Sequence, residues 1–422
     1  MSIFEIGAFL IGLSAVFGYL NHRFLRLPHT VGLVMIALAA SLVVILIEIL
    51  TPASPLLEII TGVLLQIDFY ETVMHGMLSF LLFAGALHVD FSVFKSRARA
   101  IALMATLGIL ISTFLIGWAS WFLLNAIGIA IPFIWALVFG ALISPTDPVA
   151  VLGLFKTVSV PETLEAKMAG ESLFNDGVGV VVFTVVVGIA VGGNSHGGSV
   201  DALSVTELFF TEAVGGAILG LIAGYAGYRA MYHIDEHNLE VLITLALVMV
   251  TYATALRLHM SGPIAMVVAG LFIGNKGMKY AVSGTTRDYI KKFWSLIDEI
   301  LNSVLFLLIG LEVLLIAKLV DHVGVGLLVI PVTLIARWIS VLVPITILSR
   351  WSSFTKGAIP ILTWGGLRGG IAVALALSLP PNEYKPTILT ITYAVVLFSI
   401  IVQGLTIKPL VERIVTKGEP LA

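Results

Sequence analysis

Long apolar runs separated by short polar segments set the pattern of this chain. The runs are about 18–25 residues long and lack period-two alternation, a length suited to helices crossing the ~30 Å hydrocarbon layer of a bilayer. Their edges give about 13 candidate spans. These lie roughly at 3–20, 30–50, 72–92, 98–124, 131–155, 162–191, 204–232, 237–257, 262–275, 290–317, 323–349, 356–380 and 387–410. The first run, Ile3 to Leu20, has no basic segment before it and no evident cleavage site. It therefore reads as a retained helix and not as a signal peptide.

Composition agrees with this pattern. Of 422 residues 59% are hydrophobic and 11% charged, against roughly 25% charged in soluble domains. Mean hydropathy is +1.08. A soluble fold could not hide so much apolar surface, and within lipid only helices and closed barrels satisfy their backbone groups. The expected fold class is an all-α polytopic membrane protein. Net charge is −2 with no basic tail, which gives no footing for nucleic acid. Cysteine is absent, which excludes disulfides, thiol catalysis and thiolate metal sites.

Lys and Arg positions orient the spans. With the N-terminus outside, the expected inner loops hold 18 of the 23 Lys and Arg residues. These are Arg23, Arg26, Lys95, Arg97, Arg99, Lys156, Lys167, Arg229, Lys276, Lys279, Arg287, Lys291, Lys292, Arg350, Lys356, Lys408, Arg413 and Lys417. The outer side holds only Arg257, Lys318 and Lys385, while Arg337 and Arg368 lie within spans. The chain reads as a multi-pass protein of the cell (inner or plasma) membrane, with a short cytoplasmic tail at residues 416–422 and no soluble domain after it.

Two pairs of spans suggest an internal repeat. The third contains LSFLLFAGALHVDF, Leu78 to Phe91, and the tenth NSVLFLLIGLEV, Asn302 to Val313. Each reads as an apolar run, a glycine, then an acidic residue. They are seven spans apart, an odd offset, so one copy is inverted relative to the other. The same offset pairs the fifth span with the twelfth, the two most interrupted. The fifth carries Pro145 and Pro148 around Asp147; the twelfth carries TWGGLRGG, Thr363 to Gly370, with four glycines around Arg368. Proline removes a backbone donor and glycine tolerates unwound chain. Interrupted spans at corresponding positions of two halves point to a transporter site near mid-membrane.

Ionisable residues at membrane depth cost ~2.5–3.5 kcal/mol each on insertion scales and suggest function by default. Asp147 sits in SPTDPVAV, and Glu171, Ser172, Asn175 and Asp176 sit in GESLFNDGVGVVVF. Ser172 and Asp176 are four apart on one helix face, and Glu171 and Asn175 share the adjoining face. Asp147 and Asp176 can meet at similar depth on antiparallel spans. Carboxylate, hydroxyl and carbonyl oxygens are hard ligands for Na⁺ or Li⁺, and a close carboxylate pair favours one proton at a time. Glu171 reads as half of a structural ion pair with Arg337 or Arg368. Asn175 reads as a cap or bridge, and Arg368 as a neutraliser of half-helix carbonyl ends. Asp298, Glu299 and Glu312 read as interfacial, and His88 and Asp90 as solvated. His22, His29 and His75 lie near loops without metal-site spacing.

The Thr-Asp-Pro of SPTDPVAV, the ESLFNDGVG segment, the IAR of Ile335 to Arg337 and the GGLRGG of Gly365 to Gly370 resemble NhaP-type sodium/proton antiporters, prokaryotic relatives of animal sodium/proton exchangers. The resemblance covers essentially the whole chain. It implies 13 helices, an inverted-topology repeat and two crossed, broken helices. It also implies a dimer-forming scaffold, at 1–93 and 192–322, and a moving core, at 94–191 and 323–415. By motif, Asp147 and Asp176 would bind the ion and the proton, with oxygens added by Ser172 and the Thr146 carbonyl. Glu171 and Arg337 match the family's buried ion pair. Asn175 resembles the electroneutral branch of the family. The long regulatory tail of the animal relatives is missing, so regulation through it is not implied.

The expected activity is exchange of Na⁺ or Li⁺ for H⁺ by alternating access, with no enzymatic chemistry and no cofactor beyond the transported ions. The expected partners are monovalent cations, protons, the lipid bilayer and a second copy in a homodimer. Asp147, Glu171 and Asp176 contribute −3 and Arg337 and Arg368 +2, so a fully ionised site carries −1, which one cation or one proton neutralises. K⁺/H⁺ exchange is the nearest alternative. A cation channel would lack obligatory coupling. An intramembrane aspartyl protease also uses two Asp on different spans, but neither Asp147 nor Asp176 sits in a GxGD context.

Overall fold

The computed structural model describes residues 2–51, 56–89, 98–147, 162–192, 202–316, 323–349 and 357–417. Asp90, Pro148, the tail from 418, and Lys95, Arg97, Lys156, Lys318, Arg350 and Lys356 fall outside them. Among the described residues every regular element is helical. The first half comprises α1 (Ile3–Leu20), α2 (His29–Leu50), α3 (Leu56–Leu64), α4 (Leu78–His88), α5 (Ile109–Ala126), α6 (Phe133–Ile143), α7 (Glu162–Gly192) and α8 (Ala202–Met231). The second comprises α9 (His237–Arg257), α10 (Gly262–Phe272), α11 (Gly284–Ile316), α12 (Val323–Leu348), α13 (Ala358–Trp364), α14 (Gly370–Leu377), α15 (Lys385–Phe398) and α16 (Gly404–Lys417).

Nine of the described helices are long and apolar enough to cross a membrane, and Phe133–Ile143 is a shorter apolar helix. Four of the 13 expected spans are not among these nine. Several expected spans are assembled from pieces. The third joins a π-helical turn, Glu71–Met77, to α4. The ninth is α10 running into a second π-turn, Ile273–Gly277. The fifth stops at Ile143, and the twelfth is divided into α13 and α14. Pro145 follows the end of the fifth, and Gly365, Gly366 and Gly369 separate the two pieces of the twelfth, where an uninterrupted span would continue.

Outward faces are apolar. Leu42, Val43 and Leu46 on α2, and Phe114, Trp118 and Phe122 on α5, are exposed, as lipid-facing side chains should be. Without a hydrophobic drive between helices in lipid, close backbone approach takes its place. Gly216, Gly220 and Gly224 form a small-residue stripe on α8 against Ser261, Ala265 and Phe272 of the α10 segment. A Cβ at Gly220 would meet the Ala265 backbone. Likewise Gly140 of α6 lies against the Thr113 carbonyl of α5. The α5–α6–α7 group packs with α12 and α14, while α2, α4 and α8–α10 pack around α11 and one another. A small separate apolar cluster, including Met104, Met168, Ile345, Leu362 and Val411, lies beneath α13.

Candidate functional site

The site is built where the chain leaving α6 meets the break between α13 and α14. α6 ends at Ile143, and the chain through Ser144, Pro145 and Thr146 is not helical. Opposite it, α13 ends at Trp364 and α14 begins at Gly370. Asp147 pairs with Leu367 as an isolated antiparallel bridge, its N–H donating to the Leu367 carbonyl at 2.8 Å. Each break thus satisfies part of the other's backbone, which neither could do alone within lipid.

α7 runs past the crossing and holds it. Asn175 Oδ1 accepts from the Thr146 N–H at 3.2 Å, and its Nδ2 donates to Thr146 Oγ1 at 2.7 Å. Ser172 Oγ lies 3.0 Å from Thr146 Oγ1. Asn175 therefore clamps the break with both ends of its amide. Asp176, the next residue, is 5% exposed and lies within electrostatic reach of Asp147. Asp147 itself is half-buried. The structure brings Asp147, Thr146, Ser172, Asn175 and Asp176 into one buried neighbourhood. Two carboxylates and two hydroxyls gather there beside unwound backbone, a donor set suited to a hard monovalent cation or a proton.

The two arginines have separate partners. Arg337 on α12 donates from Nη1 to Glu171 Oε1 at 2.5 Å and from Nη2 to the Leu362 carbonyl at 3.1 Å. Both members of this pair are buried, at 6% and 2% exposure. Arg368 instead donates from Nη1 to the carbonyls of Ser144 and Pro145, the latter at 2.8 Å. It thus places positive charge at the carbonyl end of α6, where the helix dipole is negative. Glu171 pairs with Arg337 and not with Arg368. Glycines make room for these groups: a Cβ at Gly366 would meet the Arg337 guanidinium, and one at Gly369 the Asp147 carboxylate.

Two groups lay beyond the sequence reading. Ser399 and Gln403 sit in a π-turn, Ser399–Gln403, that follows α15. Ser399 Oγ accepts from the Arg368 N–H at 2.8 Å and donates to Gln403 Oε1 at 2.7 Å, and Gln403 Nε2 donates to the Trp364 carbonyl at 3.0 Å. They cap both sides of the second break. The available signal was two polar residues four apart in an otherwise apolar run. Glu312 corrects an expectation: it is 7% exposed and buried near Tyr393, although its place close to the end of α11 suggested an interface. Leu314 and Ile316 beyond it on the same helix are buried as well. Asp298 and Glu299 lie on the same helix, and His29 bonds to Ser303 at 2.8 Å.

A family profile described as "Sodium/hydrogen exchanger, transmembrane" matches residues 12–413. The chain belongs to this family. It is 47% identical over 422 residues to the Na⁺/H⁺ antiporter NhaP of Pseudomonas aeruginosa, covering 99% of this chain and 98% of that protein. It is 34% identical over 394 residues to the Na⁺/H⁺ antiporter NhaH of Halobacillus dabanensis, covering 93% of each. The fold is similar to the structure of the sodium proton antiporter MjNhaP1 from Methanocaldococcus jannaschii at pH 8, with a TM-score of 0.78 and 20% identity over 98% of this chain and 99% of that one.

Proposed function

We propose that this chain is a secondary antiporter exchanging Na⁺ or Li⁺ for H⁺ across the membrane. The observation that carries the reading is the crossing itself. A bridge joins Asp147 to Leu367, an Asn175 clamp fixes Thr146, and Asp176 is buried alongside. Either a cation or a proton satisfies these oxygens, and competition for one set of ligands suffices for exchange. Asp147 and Asp176 hold the ion or the proton, Ser172 and the Thr146 carbonyl complete the ligands, and Asn175, Glu171, Arg337 and Arg368 hold the breaks in place. The names of the relatives support Na⁺ over K⁺.

The proposal extends to architecture. Breaks in two spans, meeting antiparallel, support an inverted repeat within a 13-helix chain. The packing of α5–α7 with α12 and α14 supports a core, 94–191 and 323–415, moving against a scaffold, 1–93 and 192–322. Alternating access then exposes one site to one side at a time. The chain works as a homodimer in the cell membrane, with the N-terminus outside and the C-terminus in the cytoplasm. Glu171 and Arg337 neutralise each other, leaving Asp147, Asp176 and Arg368 at −1, so one Na⁺ or one H⁺ balances the site and exchange is electroneutral. Purified protein in liposomes holding a pH-sensitive dye tests this. Na⁺ or Li⁺ added outside should move protons in the opposite direction; absence of any cation-dependent proton movement would refute it.

A further inference from the structure

Away from the crossing, an open groove of about 600 Å³ lies between α8 and the α10 segment, on the outward surface of the bundle. Its walls are Leu221, Ile222, Tyr225, Tyr228 and Phe272, with Lys276 and Tyr280 at one end. Gly220 and Gly224 draw the two helices together at the base, and the tyrosines stand apart above it. Tyr225 meets Phe272 edge-on at 6.4 Å between ring centroids, and Tyr228 meets the same ring at 6.2 Å. Leu221, Ile222, Tyr225 and Tyr280 are exposed.

Lys276 lines the groove, and Lys279 and Arg229 adjoin its lining residues Tyr280 and Tyr228 in sequence. Lys276 Nζ lies 5.6 Å from the Phe272 centroid, Lys279 Nζ 5.3 Å from Tyr280, and Arg229 6.0 Å from Tyr232. Among the described residues none of the three has a carboxylate partner in an ion pair. An apolar groove lined with tyrosines, with cations lacking an ion-pair carboxylate in and beside it, is complementary to one molecule: a phospholipid with an anionic headgroup. Tyrosine rings sit at headgroup level in membrane proteins. Basic residues there attract anionic lipid.

We infer that this groove binds an anionic phospholipid, its headgroup on Lys276, Lys279 and Arg229 and an acyl chain along Leu221, Ile222 and Tyr225. Tyr228 meets Phe272 of the α10 segment edge-on, so a bound chain would lie against both α8 and α10 beside their close contact.

The absence of cysteine from the chain makes the test direct. Ile222→Cys carries a single fluorophore in full-length protein in nanodiscs. Phosphatidylglycerol with brominated tails should quench it more strongly than brominated phosphatidylcholine at equal content. In the Lys276→Gln, Arg229→Gln background that preference should fall sharply, since one surface cation changes anionic-lipid occupancy about fivefold. Equal quenching by both lipids, or a preference unchanged by the two substitutions, overturns the proposal. Loss of quenching on concentrating the protein, with a second copy occupying the groove, also overturns it. Should the double variant misfold, thermal melts of the unlabelled protein serve instead. Phosphatidylglycerol should raise its Tm; phosphatidylcholine and free glycerol phosphate should not. A shift with glycerol phosphate alone, or none with phosphatidylglycerol, contradicts it.

Discussion

The two breaks at the crossing are built from opposite materials. The first, Ser144 to Asp147, is rich in side-chain function: a carboxylate, two hydroxyls and a proline, held from outside by Asn175 and Arg368. The second, Gly365 to Gly369, has glycine at three of its five positions; of its two side chains, Leu367 is buried and Arg368 reaches across to the first. One break presents chemistry; the other withdraws to let it fit. Gly366 leaves space for the Arg337 guanidinium and Gly369 for the Asp147 carboxylate. The two breaks thus differ in role, and damage to each should differ in kind.

The largest effects should follow from the first break and its partner on α7. Asp147→Asn and Asp176→Asn should each abolish Na⁺-driven proton movement in liposomes while the protein still elutes as a single folded species. A variant that retains near-normal exchange removes its residue from the site.

The ion pair beside the second break should matter through stability. Removing one member of a buried pair strands the other charge at a cost of ~3–5 kcal/mol in soluble proteins. Glu171→Ala should therefore lower Tm strongly in a thermal melt, and adding Arg337→Met should recover part of the loss. No recovery would show that Arg337 is held mainly by the Leu362 carbonyl.

Overpacking the second break should cost less. Gly369→Ala pushes a methyl group at the Asp147 carboxylate, and such changes cost ~1–3 kcal/mol in packed interiors. Transport should drop further than stability does, because the displaced group is the proposed ligand. Gly366→Ala, aimed at Arg337, should show the reverse ratio. Equal ratios would collapse the distinction between the breaks.

Much of this was legible beforehand, and the reasons are local. Proline before Asp147 and glycines around Arg368 are backbone signals, readable without tertiary context, and both spans do break there. Span edges at α9 and α12 follow from apolar periodicity alone. The choice of Arg337 over Arg368 as partner of Glu171 was not legible, because both arginines lie in apolar runs and only the tertiary placement of the Arg337 side chain beside Glu171 decides. Glu312 misled for a related reason: closeness to a helix end indicates water only when nothing covers that end. Ser399 and Gln403 were overlooked because their target is backbone freed by a break in another segment.

The smallest of these expected effects concerns the clamp. Asn175→Ala removes two hydrogen bonds to Thr146, and a stranded buried partner costs ~1–3 kcal/mol. A modest fall in Tm and weaker Na⁺ affinity should result, read from liposome titrations. Unchanged affinity would mean that the first break keeps its shape without Asn175.

The central claim is that Na⁺ and H⁺ compete for the same oxygens of Asp147 and Asp176. The most direct test is the apparent KM for Na⁺ in liposomes, measured across pH with both sides clamped. A proton bound in place of Na⁺ is lost as pH rises, so affinity should strengthen on the alkaline side. On the acid side, KM should climb by about tenfold per pH unit by mass action, while the maximal rate at saturating Na⁺ stays level. A KM that is flat with pH, with the maximal rate alone changing, would contradict the account and assign the proton and the cation to separate sites.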